Sequence, residues 1–257
     1  MKNKHYLTLA AISVAAIASP SYAASVGTDN ASATAYAGGW LNGTDGSITG
    51  PGAYGEWFLN PGAGVTHEIA SVSSLSGNAP SLDTNGVSFR MLGDGAEATA
   101  FRFIDPNGLS VGQSFSIELA VNFRGGYKGI DLRGAADGDP TLFNFNVSEN
   151  YVISNATTGN GDITDNSYSD DTLFTFVFEQ TSAGGGNWSI TRSGGVSSFN
   201  SGTYTGVARS IKLYANAGGS NEDALFVNSL STVPEPSHYG LMIGAGTLGL
   251  LLLRRRR

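Results

Sequence analysis

The chain has 257 residues, a formal net charge of −7 and no cysteine, which excludes disulfides, thiolate metal sites, a thiol nucleophile and a lipidated cysteine. Between two compositionally distinct ends, eight basic residues stand against twenty acidic ones, so the body has no cationic surface to offer nucleic acid or anionic lipid. That central part has the length of one all-β domain, roughly 200 residues.

The N-terminus opens with Lys2 and Lys4, continues in an apolar run from Leu7 to Ala18, and breaks at Ser19-Pro20 before Ser21-Tyr22-Ala23. A basic start, a short apolar helix and small residues in this order predict a secretory signal, with signal peptidase cutting between Ala23 and Ala24. Residues 1–23 are therefore set apart from a β domain over 24–231, and 232–257 form a separate tail.

The first candidate binding residues of the body are Trp40, Tyr54 and Trp57, which lie among Gly, Asn and Thr. A sugar ring has an apolar face and a hydroxyl rim, so aromatic rings beside polar turns suit a glycan, although the favoured reading is that these rings cover an end of the core. His67 is the only histidine of the body, and no Gly-x-Ser-x-Gly elbow accompanies it. It reads as an ordinary strand or loop histidine, and no catalytic residue is assigned.

Strand periodicity dominates from there. Phe115, Ile117, Leu119 and Val121 alternate with Ser116, Glu118, Ala120 and Asn122, and Phe174, Phe176 and Phe178 line one side of a later segment. Leu142 to Val147, Trp188 with Ile190, Ile211 with Leu213, and Leu225 with Val227 repeat the two-residue period of half-buried strands. Turn signals such as Ala183-Gly184-Gly185-Gly186-Asn187 separate them and predict antiparallel hairpins. Short strands punctuated in this way predict an all-β, antiparallel jelly-roll sandwich; a glycine-rich β-solenoid is the rival, but no fixed repeat supports it.

The acidic residues suggest two further chemistries. Glycoside hydrolysis needs two carboxyl groups across a sugar bond, whereas Glu118 and Glu179 each stand isolated among their strand neighbours. Asp162, Asp165, Asp170 and Asp171 crowd one loop, with Asp131, Asp137 and Asp139 in another and Glu222-Asp223 in a third. Such oxygen donors suit calcium, yet none has the EF-hand or nonapeptide-repeat spacing, so no cofactor is required and calcium is the one candidate metal.

At the C-terminus, Thr232-Val233-Pro234-Glu235-Pro236-Ser237 predicts a stiff, non-helical spacer. An uncharged run from Tyr239 to Leu253 predicts a short transmembrane helix, and Arg254, Arg255, Arg256 and Arg257 directly after it predict a cytoplasmic end, leaving the body outside the inner membrane. Gly240 and Gly244 also fit a small-residue helix contact, a spacing that arises readily by chance in a glycine-rich segment.

Pro234-Glu235-Pro236, the apolar helix and the terminal arginines together resemble the PEP-CTERM sorting signal, over about the last 25 residues. The resemblance implies an exosortase as processing enzyme, a bacterium with an outer membrane and exopolysaccharide production, and delivery from an inner-membrane precursor to the cell surface or extracellular matrix. The body more weakly resembles laminin-G or concanavalin-like sandwich domains, through Gly112-Gln113-Ser114-Phe115-Ser116-Ile117-Glu118-Leu119, Thr141-Leu142-Phe143-Asn144-Phe145 and Asn187-Trp188-Ser189-Ile190-Thr191-Arg192. A fold-level pattern carries no chemistry of its own.

The expected function is accordingly that of a noncatalytic exported surface or matrix protein, with extracellular polysaccharide as its candidate ligand. An exported polysaccharide hydrolase or lyase, and a calcium-stabilised structural adhesin, are the alternatives.

Overall fold

The computed structural model describes residues 27–47, 54–72, 82–105, 107–135, 140–163, 172–194, 196–216, 218 and 221–233. The signal segment with Ala23 and Ala24, the tail from Pro234 to Arg257, and Asp165, Asp170 and Asp171 lie outside these residues. Among the described residues no helix is long and apolar enough to cross a membrane.

Among the described residues fifteen strands follow one another. They are β1 Gly27–Asp29, β2 Phe58–Leu59, β3 Val65–Ala70, β4 Ser88–Gly93, β5 Ala98–Phe103, β6 Ser114–Val121, β7 Tyr127–Arg133 and β8 Thr141–Val147. Then come β9 Tyr151–Ser154, β10 Gly161–Asp162, β11 Thr172–Ser182, β12 Gly185–Ser193, β13 Ser198–Thr205, β14 Ser210–Asn216 and β15 Leu225–Val233. They form an eight-stranded sheet in the order β13-β12-β11-β6-β15-β4-β3, with β1 also on β15, and a seven-stranded sheet in the order β10-β9-β8-β7-β14-β5-β2. Sequence neighbours such as β5 and β6 fall in different sheets, and the pairing is antiparallel throughout, which is the jelly-roll arrangement of a β-sandwich.

The alternation expected from the sequence sets the core. Phe115, Ile117 and Leu119 of β6 and Phe174, Phe176 and Phe178 of β11 are fully buried, facing Phe143 and Phe145 of β8 across the sandwich. Trp188 and Ile190 extend this layer, and the ring of Trp188 packs so closely on Gly202 of the neighbouring strand that a Cβ there would lie 2.6 Å from it. A hairpin joins β11 to β12 at Ala183-Gly184, where the glycine-rich signal places it. A smaller cluster, Val72, Leu82, Leu92, Ala120, Leu173, Ala224 and Phe226, lies outside the main core.

β15 differs from its expected boundary and from regular pairing. It runs on through Thr232 and Val233, two residues past the point at which the tail was expected to begin. Along one edge it pairs first with β4 (Leu225 to Val227) and then with β1 (Leu230 to Thr232), while the register against β6 shifts between Asn228 and Ser231. Ser229 has a φ of 55° at this bulge. The Asn228 side chain satisfies the backbone where the partner changes, donating to Leu82 O and Val87 O and accepting from Ala31 N, all at 3.0 Å.

Candidate functional site

Of the two readings of the candidate glycan-binding rings, the structure takes the one in which they belong to the core: Trp40, Tyr54 and Trp57 are 1%, 4% and 0% exposed. The cause is Arg102, which the alternation of β5 points inward together with Ala98 and Ala100. Its guanidinium lies 4.8 Å from the Tyr54 ring centre and 4.9 Å from that of Trp57, and it pairs with Asp29 and Asp45. Tyr36 Oη donates to Asp29 Oδ2 at 2.5 Å and accepts from Trp57 Nε1 at 3.1 Å, while Trp40 sits edge-on to Trp57. These rings enclose a buried cation, so no face is left for a sugar. Burial pushes the Asp29 carboxyl above its ordinary range, against the pull of Arg102 and Tyr36.

The other candidates are dispersed. His67 Nε2 lies 3.0 Å from Thr99 O, and its ring abuts Trp40 edge-on. Asp162 is exposed on β10 and accepts from Asn150 Nδ2 at 3.2 Å. Among the described residues no three acidic or histidine side chains gather as a metal site. Glu118 stands opposite Thr175, and Glu179 is four positions further along β11. At about 3.3 Å per residue and one strand across, the two carboxyl-bearing residues are roughly 14 Å apart, beyond the spacing of either glycosidase mechanism.

A different set of residues converges on the outer face of the seven-stranded sheet. Directly paired residues of antiparallel strands project to the same side. Ile211 with Leu132, Leu213 with Ile130, and Leu132 with Phe143 are therefore all inward. The intervening pairs, Lys212 with Asp131, Tyr214 with Gly129, Asn216 with Tyr127, Asp131 with Asn144, Gly129 with Asn146 and Asn144 with Ser154, share the outward side.

Asn144 is the hub of this face. Its Nδ2 donates to Asp131 Oδ1 and to Tyr214 Oη, both at 2.8 Å, and its Oδ1 accepts from Ser154 Oγ at 3.0 Å. Arg133 Nη2 donates to Asp131 Oδ2 at 2.7 Å, and Lys212 pairs with Glu97 at 3.6 Å. Tyr214 reaches over Gly129, where a Cβ would lie 2.7 Å from its hydroxyl, and donates to Phe145 O at 3.0 Å. Burial pushes the Tyr214 phenol well above its ordinary value, which keeps it neutral.

The face also holds groups suited to a ligand. Asn146 Oδ1 is shielded from solvent and has no hydrogen-bond partner among the described residues, a costly condition that would be relieved if the side chain turned outward to accept from a ligand hydroxyl. Tyr127, diagonal to it, is 37% exposed, and its hydroxyl is held by Asn216 Nδ2 at 3.1 Å. At the β5–β2 side Phe58 is 50% exposed, with the Phe101 ring 6.1 Å from it and Phe103 in turn 5.2 Å from Phe101. β7 and β2 are three strand spacings apart and Phe58 lines up with Asp131, four residues along β7 from Tyr127, so the two aromatic groups stand roughly 20 Å apart with polar side chains of β14 between them, while Asn144 and Asn146 lie on β8 on the other side of β7. These residues escape sequence reading because they sit on six strands and only the register brings them together.

No family model matches the chain, and no curated protein resembles it. Among solved structures it is similar to the galectin LEC-6 of Caenorhabditis elegans, at 20% identity over 49% of this chain and 84% of that one, with a TM-score of 0.31. It is also similar to lectin I-B4 of Griffonia simplicifolia, at 9% identity over 68% and 98% of the two chains and a TM-score of 0.33. A third likeness is to an endo-acting O-glycanase of the human gut microbiota, at 10% identity over 69% and 98% and a TM-score of 0.36. Likeness at this level bears on no residue of the face described above.

Proposed function

We propose that this is an exported surface or matrix protein, delivered by its C-terminal sorting signal, which binds a glycan noncatalytically on the outer face of the seven-stranded sheet. The observation that carries the binding reading is the unpartnered Asn146 Oδ1 beside the exposed ring of Tyr127. Together they offer a hydroxyl acceptor and an apolar plate, the two things a pyranose ring needs. The cations of the face are already paired, Arg133 with Asp131 and Lys212 with Glu97, and the body is strongly acidic, so the favoured ligand is a neutral saccharide. Delivery rests on the signal segment, the Pro234-Glu235-Pro236 motif, the apolar run and the arginines.

A glycan array probed with the released protein, with and without calcium, tests this reading. Neutral oligosaccharides are expected to be retained in both conditions. Tyr127→Ala and Asn146→Ala should each weaken binding about tenfold, the effect of roughly 1.4 kcal/mol. Phe199→Ser, which changes an exposed ring on the other sheet, should leave binding intact. Binding unaffected by both variants of the face would refute its role.

A further inference from the structure

Gly27, the first residue of β1, pairs with Thr232 of β15, and Thr28 pairs with Ser231. The chain thus enters the fold and leaves it at one place. Three residues separate Ala23 from Gly27, and Pro234 follows Val233 directly. Both ends of the described chain consequently lie at the same pole of the sandwich, each a few residues in sequence from an expected processing junction. Val233 is also opposite Ser114 at the start of β6, which puts the turn Ser110–Gln113 at this pole; Gly112 N donates to Gln180 O at 2.6 Å and ties in the β11–β12 hairpin.

We propose that the precursor stands on the outer surface of the inner membrane on this pole, with the bilayer itself as the occupant of that surface. The inference rests on the sorting reading and adds an orientation to it. Residues 234–238 separate the last strand residue from the apolar run, and even fully extended they reach only about 20 Å. β6, with eight residues, spans about 27 Å from this pole to the other. The tether is shorter than the body, so the β1–β15 end is held next to the membrane and Phe123, just past the end of β6, is carried away from it. Two turns at the near pole, Ser110–Gln113 and Ser182–Gly185, contain no charged residue and so add no repulsion from a membrane surface, while Asp105 and Arg209 of the neighbouring connection are of opposite sign. The far pole carries Arg124, Glu149, Glu222 and Asp223 near Phe123.

The chain contains no cysteine, so single labels are unambiguous. Val111 and Phe123 are almost equally exposed, at 45% and 44%, and mark the two poles. Full-length Val111→Cys and Phe123→Cys proteins, labelled with a thiol dye, are reconstituted into phosphatidylcholine vesicles carrying a headgroup acceptor dye. Energy transfer is expected to be clearly higher from position 111 than from 123. Protein lacking residues 234–257 should give none from either. In the full chain, Thr28→Cys with Ser231→Cys should form a disulfide, since directly opposed strand residues lie within bridging distance. Equal or reversed transfer from a vesicle-bound chain, or failure of the disulfide to form, overturns the proposed orientation while leaving sorting in place. A full chain that does not float with the vesicles overturns the membrane-held precursor and the orientation together.

Discussion

Arg102 and Asp29 form an ion pair in which both side chains are completely buried, and the pair joins β5 of one sheet to β1 of the other. Two charges taken out of water are stable only while each has the other, and Arg102 is further held between two aromatic faces. Arg102→Met leaves Asp29 without its cation and should destabilise the body by about 3–5 kcal/mol. Asp29→Asn combined with Arg102→Met should recover part of that loss. Urea unfolding of the two single variants and the double variant measures the coupling, and strictly additive losses would show that the pair contributes nothing of its own.

That node also explains what could and could not be read from the sequence. Phe115, Ile117 and Leu119, like Phe174, Phe176 and Phe178, declare their buried side because each strand carries its own period. Trp40, Tyr54 and Trp57 lie in irregular chain, where no period says which way a ring points, and a partner more than forty positions away decides it. One signal was present: Arg102 falls in the same phase as Ala98 and Ala100 and so had to be inward. The face around Asn144 gave none, because the pairings of β7 with β14 and β8 exist only in the fold.

Lys128 sets a pH dependence at the far pole. Its side chain is fully buried, and Nζ donates to Phe123 O and Asp223 O, both at 2.6 Å. Burial pulls its pKa down from 10.5 to about 8, with the charge of Asp223 opposing. Between these values the unfolded chain binds more protons than the folded one, so stability rises with pH, by at most about 1.4 kcal/mol per unit. A neutral amine still has two N–H groups and keeps both bonds. Lys128→Met should be less stable at every pH, and the wild-type advantage over it should widen between pH 8 and 10.5. Denaturant unfolding of both proteins across that window checks the sign; an advantage that narrows would contradict it.

His67 acts at the other end of the pH scale. Thr99 O can only accept, so the 3.0 Å contact assigns the proton to Nε2 and leaves Nδ1 to be protonated. Burial depresses the pKa below 6.5, so the unfolded chain takes up the second proton first and stability falls as pH drops below about that value. His67→Gln should lose this acid sensitivity. Thermal unfolding at pH 7 and pH 5 gives the comparison, with a smaller drop expected for the variant; an equal drop would remove His67 from the account.

The tail yields the last prediction. β15 remains in the sheet to Val233, and the next residue is proline, which has no N–H to continue a ladder and fixes its own φ. The two prolines of Pro234-Glu235-Pro236 disfavour helix and ladder pairing, which on the proposed sorting reading suits the motif to a protease cleft between the body and the apolar run from Tyr239. Cleavage near the motif should release or transfer the body in a host with its own exosortase. Replacing Pro234 and Pro236 by alanine should leave the protein exported but retained at full length in the inner membrane. Removing Arg254 to Arg257 should instead weaken retention before processing, because a short apolar helix then lacks its cytoplasmic anchor. Fractionation with mass measurement of the released protein distinguishes these outcomes. Released protein that still carries residues 238–257, or normal release of the alanine variant, would mean that the motif is not where the chain is cut.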